Sequence, residues 1–196
     1  MEPGARVGLL NPRGLLLALG LWVALGAPAF GQVFEDPDAA LQSALRSGEQ
    51  LTPVSWSGLS AEVAAALKAQ SGQALRRSWT RCHQAQSASQ PTAYLCIDNM
   101  IGKTEPITYL ARIAHPSGRL EDLRLLIYRE SVGAEIRHPL FLAQFLGKDT
   151  QAPLGLSQDI QAISGATYSS RAVAQGSRKL LWLYRLYLSK LSTEQP

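Results

Sequence analysis

The chain has 196 residues, 46% of them hydrophobic, which suits one domain with a modest core and argues against disorder. Its formal charge of +4 falls to +3 without the first 29 residues, because Arg6 and Arg13 outweigh Glu2 (4 − 2 + 1 = 3). So small and scattered an excess, with no nucleic-acid module signature, gives no ground for a nucleic-acid partner.

At the start, Arg6 and Arg13 precede an apolar run from Gly14 to Gly26, followed by Ala27-Pro28-Ala29. This layout reads as a secretory signal peptide over residues 1–29, with small residues suited to cleavage after Ala29. Ala29-Phe30-Gly31 offers a second cleavage site, and an uncleaved leader would act as an anchor. The run is short for a spanning helix, which needs about 20 apolar residues. In an exported chain the two cysteines, Cys82 and Cys96, read as a disulfide, with two reduced thiols as the alternative. Cys82-His83 has neither zinc nor haem spacing, so no metal is assigned.

Residues 30–78 read as an N-terminal helical segment. Asp36-Pro37-Asp38 is a helix start, with Leu41, Ala44 and Leu45 on one face and Gly48 at the end. Residues 52–58 read as a loop or short edge strand. Ser60 then caps a second helix, with Leu59, Val63 and Leu67 on one side.

Residues 79–191 read as the main domain. A strand is expected over 79–82 and a hairpin loop over the polar stretch 84–90. Strands follow over 92–98, 107–114 and 123–128, with Pro116-Ser117-Gly118 as a turn. His138-Pro139 opens a helix bearing Phe141, Gln144 and Phe145. Residues 159–163 read as a strand end, and a long helical pattern runs from Ser169 to about Leu191. The fold class is therefore α+β, a small twisted, mainly antiparallel sheet with helices packed on one side of it.

Between that strand end and the last helix lies Ser164-Gly165-Ala166-Thr167. A helix N-terminus has unpaired N–H groups and a partial positive charge, so an anion docks there readily. Gly165 permits a sharp turn, and Ala166 leaves room for a neighbour. Ser164, Thr167, Ser169 and Ser170 bring hydroxyls that can bond or esterify a phosphate. The same residues also suit an ordinary capped connection, with Thr167 or Ser169 as N-cap.

Ser164-Gly165-Ala166-Thr167 with its hydroxyl-rich helix start resembles the flavinylation motif of the FMN-binding domain family. That family includes the flavin subunits of sodium-pumping quinone reductases and of Rnf electron-transfer complexes. Ile101-Gly102-Lys103, Pro106-Ile107-Thr108, Tyr128-Arg129-Glu130-Ser131, Gly133, Glu135-Ile136, Pro139, Phe141, Gln144-Phe145 and Gly147 extend the resemblance over roughly residues 92–175. It implies an FMN-binding domain over 79–191, with FMN joined by a phosphoester to Thr167. A separate FAD:protein FMN transferase would make that bond. Ser164, Gly165 and Ala166 would supply the turn and its N–H groups, and Glu130, Glu135, Ile136, Phe141 and Gln144 would contact or shape the bed of the cofactor. The family pattern has Asp three residues before the Ser, where this chain has Gln161; the nearest acid is Asp159.

The implied task is electron transfer in the cell envelope or periplasm, with a membrane or envelope redox partner. The flavin would supply the chemistry, so no catalytic side chain is assigned and a stand-alone enzyme is not the expectation. Gln161 keeps a second reading open: an envelope module that holds FMN, or another ligand, without a covalent bond or redox role. A hydrolase ranks below both. No Gly-x-Ser-x-Gly elbow is present, and His83, His115 and His138 sit in no catalytic signature. The final helix is apolar nearly all round from Leu180 to Leu188, broken by Arg185 and flanked by Arg178, Lys179 and Lys190. It either packs on its own sheet or makes a peripheral membrane contact.

Overall fold

The computed structural model describes residues 31–191; the leader reading at 1–29 lies outside them. Alternating apolar side chains build the sheet. In strand β4 (Gln90–Ile101), Tyr94 and Cys96 enter one core cluster while Ala93, Leu95 and Ile97 enter another. Strand β5 (Pro106–Ala114) repeats the pattern, with Tyr109, Ala111 and Ile113 on the first face and Leu110 on the second. With β1 (Gln32–Val33), β2 (Gln50–Pro53), β3 (Arg81–Ser87) and β6 (Leu120–Tyr128), they form one antiparallel sheet in the order β1-β6-β5-β4-β3-β2. The fold is α+β, as expected.

Helices α2 (Ala61–Ser71) and α4 (Thr167–Leu183) cover the first face. Helix α1 (Pro37–Ser43) covers the second with Ala40 and Leu41. The expectation of helices on one side is thus corrected. Leu95, Leu110 and Leu126 point away from α4 and need their own cover. The expected caps are present. Asp36 Oδ1 accepts from the N–H groups of Asp38 and Ala39, each at 3.0 Å, and Ser60 Oγ accepts from Val63 N–H at 3.3 Å.

The stretch 84–90 is mostly strand rather than loop. Its polar side chains bond one another: Gln84 Nε2 donates to Tyr94 Oη at 2.7 Å, and Gln86 to Gln84. The turn shrinks to Ala88-Ser89, both at positive φ (48° and 63°), as a two-residue hairpin requires. Cys82 and Cys96 face each other across β3 and β4 and form a disulfide, with Cα atoms 4.1 Å apart. Closing that loop stabilises the fold by about 3 kcal/mol in the chain-entropy model.

Helix α4 is pinned to the sheet by a buried charge pair. Lys179 Nζ lies 2.7 Å from Asp98 Oδ2, with side chains 3% and 0% exposed. Asp98 also accepts from Tyr109 Oη at 2.6 Å and Thr80 Oγ1 at 2.7 Å. Beyond α4 the chain makes a π-helical turn, Tyr184–Leu188, and ends its described part in α5, Ser189–Leu191. Tyr187 stacks on Trp56 and donates to Ser55 O at 2.7 Å, and Leu180, Leu181, Leu183 and Leu188 are buried in the domain core. Among the described residues no helix is long and apolar enough to cross a membrane.

Candidate functional site

Residues 159–163, expected as a strand end, form no strand. A single bridge joins Leu156 to Ile160, and the backbone is satisfied locally instead. Gly155 N–H donates to Asp159 Oδ1 at 2.9 Å, and Ile163 N–H to Ser170 Oγ at 3.2 Å. The Gln144 side chain clamps the backbone of Gln161 from both sides. Its Oε1 accepts from Gln161 N–H at 2.7 Å, and its Nε2 donates to Gln161 O at 3.2 Å. This mimics the pairing a neighbouring strand would give.

The motif turn follows directly. Ala166 N–H donates to Ile163 O at 3.0 Å, and Gly165 holds φ at +80°, the left-handed value a type II turn needs at that place. Helix α4 then begins at Thr167, two residues earlier than expected. Its N-cap is Ala166, with no side-chain cap. Neither Thr167 nor Ser169 caps it, because Thr167 is already the first helical residue and Ser169 is turned inward. The first-turn N–H groups therefore lack both intrahelical acceptors and a capping oxygen. That leaves the positive end of a 17-residue helix available to an anion.

The four motif hydroxyls divide cleanly. Ser169 is buried and shares a 2.8 Å hydrogen bond with Tyr128 Oη, which in turn donates to Val132 O at 2.5 Å. Ser170 is fully buried and receives Ile163 N–H. Both are structural. Ser164 and Thr167 are exposed. Thr167 is therefore an exposed hydroxyl at an uncapped helix start, while its neighbours hold the helix down.

The turn after β6 is joined to the motif. Gly133 has φ +95°, and a Cβ there would lie 3.1 Å from Ala166 Cβ and 2.7 Å from Tyr128 Oη. The small residues at 133 and 166 thus let two backbones approach. Ile136, in the 3-10 turn Ala134–Arg137, is fully buried in the core, whereas Glu135 is exposed. Phe141, in helix α3 (Pro139–Ala143), is 3% exposed and meets Phe145 edge-on at 5.4 Å.

Glu130 is engaged by the β4–β5 turn. Its carboxylate accepts from Thr104 N–H at 2.7 Å, Glu105 N–H at 3.0 Å and Thr104 Oγ1 at 3.1 Å. Burial alone would raise its pKa, but these donors bring it below the usual carboxylate value. It clasps the β4–β5 hairpin, and Gly102 is glycine because a Cβ there would lie 2.7 Å from the carboxylate. Asp159 is likewise committed, paired with Lys148 Nζ at 2.9 Å.

A groove of about 410 Å³ runs along the residues before the turn, lined by His138, Leu140, Phe141, Gln144, Gln161, Ala162 and Ile163. Phe141 and Gln144 were expected from sequence. His138, Leu140, Ala162 and Ile163 were not, although His138-Pro139 was legible as a helix start. Leu140 is 76% exposed and Tyr168, next to Thr167, is 57% exposed. Leu140 is a large apolar group left in water on the groove wall, which marks the groove for occupancy. Another groove, about 370 Å³ between His115, Tyr184 and Arg185, lies at the far end of α4, roughly 25 Å away at helical rise.

Residues 102–181 match the family model described as "FMN-binding domain". No curated protein matches the chain.

Proposed function

We infer from the FMN-binding domain at residues 102–181, which makes this chain an FMN-binding flavoprotein, that the cofactor is tethered at Thr167 and carries electrons outside the cytoplasm. The site fits FMN. A groove of about 410 Å³ falls within the roughly 300–1,000 Å³ of small-molecule sites and joins apolar walls to a few polar groups. Its lining ends at Ile163, one turn before the uncapped start of α4, which suits the phosphate end.

The single observation that carries the tether is Thr167, whose exposed hydroxyl stands at the first position of α4. In the attachment reaction the Thr167 Oγ–phosphorus bond forms and the pyrophosphate bond of FAD breaks. AMP leaves and the hydroxyl proton is released; an FAD:protein FMN transferase is the partner this requires. FMN, once held, supplies one- or two-electron chemistry. The chain's own residues place it. Gln144 fixes the approach to the turn, Tyr128 and Ser169 anchor the helix, and Leu140 and Ile163 offer apolar surface. FMN held in this open groove would remain accessible to a redox partner in the cell envelope. The leader-like start supports export.

Gln161 favours a second reading, FMN held reversibly. Its side chain is exposed and brings no carboxylate where the flavinylation pattern has Asp. Full-length protein co-expressed with the transferase, then denatured, separates the two. Flavin fluorescence that stays with the denatured chain, and is lost in Thr167→Ala, supports the tether. Fluorescence released on denaturation supports reversible binding, and Thr167→Ala that keeps its flavin through denaturation refutes the assignment.

A further inference from the structure

Among the described residues that line the cofactor groove, one is ionisable, His138. It ends the 3-10 turn Ala134–Arg137 and is the N-cap of α3. Its Nδ1 accepts from Leu140 N–H at 3.3 Å. An imidazole nitrogen that accepts carries no proton, so in the neutral ring the proton sits on Nε2. The cap thus fixes the tautomer and leaves an N–H donor on the outer edge of the ring.

The other polar groups of the groove are less suited to that part. The Gln144 amide is occupied on both atoms by the backbone of Gln161. The Gln161 side chain is an exposed amide with a neutral dipole. Neighbouring charges are engaged or directed elsewhere. Arg137 lies over the Phe34 ring at 4.8 Å, Glu130 clasps the β4–β5 hairpin, and Asp159 is paired with Lys148. Glu135 is exposed on the 3-10 turn and does not line the groove.

We propose that His138 tunes the bound flavin, donating from Nε2 to a polar edge of the isoalloxazine ring. This deepens the FMN reading above and rests on it. A donor aimed at a ring that becomes more electron-rich on reduction favours the reduced form, so His138 raises the midpoint potential. Binding of the reduced form relative to the oxidised form is then about tenfold stronger than without the donor, which is about 30 mV for a two-electron couple.

The test is a spectroscopic redox titration of full-length flavin-loaded protein: wild type, His138→Ser and His138→Asp. Both replacements are good N-caps and preserve the start of α3. Serine is too short to reach the ring, and aspartate puts negative charge where the donor was. The expected order of potential is wild type highest, Ser about 30 mV lower, and Asp lower again. Equal potentials in all three would overturn the proposal and leave His138 as a cap only. So would the reverse order. The titration works on tethered or reversibly held FMN, and loading is measured separately by absorbance and mass. Failure of the Thr167 tether and failure of the His138 assignment are therefore distinct results.

Discussion

Replacing Lys179 by Met tests how the motif helix is held. The ammonium lies 2.7 Å from Asp98, and both side chains are sealed from water. At an effective dielectric of about 20 their attraction is about 6 kcal/mol, offset by the cost of desolvating two ions. Removing one partner leaves the other buried and uncompensated, which costs about 3–5 kcal/mol. Tyr109 and Thr80 still donate to Asp98, which places Lys179→Met toward the lower end of that range. Asp98→Asn strands the ammonium and should cost at least as much. The double variant should fall short of the summed losses by about 1–3 kcal/mol. Urea unfolding, with the slope checked for constancy, reads all three. A loss under about 1 kcal/mol in both single variants, or strict additivity, would refute the reasoning. The stake is functional, because Thr167 and Lys179 sit on one rigid element about 18 Å apart at helical rise.

Two further outcomes follow from the geometry. Gly133→Ala imposes a side chain at φ +95° and drives its Cβ against Ala166 and Tyr128; it should cost about 1–3 kcal/mol in urea and lower FMN loading, and wild-type stability would contradict the close approach. The Glu49 side chain is 4% exposed and paired with Arg112 at 2.7 Å. Burial alone would raise its pKa, but the bonds from Arg112 and Thr92 bring it down to about 2. Its folded pKa lies below its unfolded one. The contribution, on the order of 3 kcal/mol, is therefore present above pH 4.5 and lost as pH falls toward about 2. Glu49→Gln should flatten the stability profile in that window, and an unchanged profile would show that the pair is not the cause.

Local rules made much of this molecule legible. Alternation exposed β4, β5 and β6, and short polar residues before apolar runs marked the caps Asp36 and Ser60. Ser164 to Thr167 was readable as a turn into a helix because only Gly165 carries a demanding backbone angle. Strand β3 was hidden by its glutamines, whose amides satisfy one another and a tyrosine across the sheet. Residues 159–163 carry a strand-like pattern, yet their backbone groups are taken by the Gln144 side chain, 17 residues away, and by Ser170 in the first turns of α4. Glu130 was legible only through the matching segment, and the bonds its carboxylate accepts from the 104–105 amides depend on a pairing of distant residues that no local pattern encodes. His138 was read as a helix start. Its place beside Gln161 depends on how α3 meets the motif loop, which no local pattern encodes.

The most direct measurement is the intact mass of the chain made alongside an FAD:protein FMN transferase, with the site located by peptide fragmentation. The expected excess equals one FMN less one water, carried by the peptide that contains Thr167 and absent from Thr167→Ala. A chain with no added mass under those conditions, or with the flavin on another residue, would contradict it.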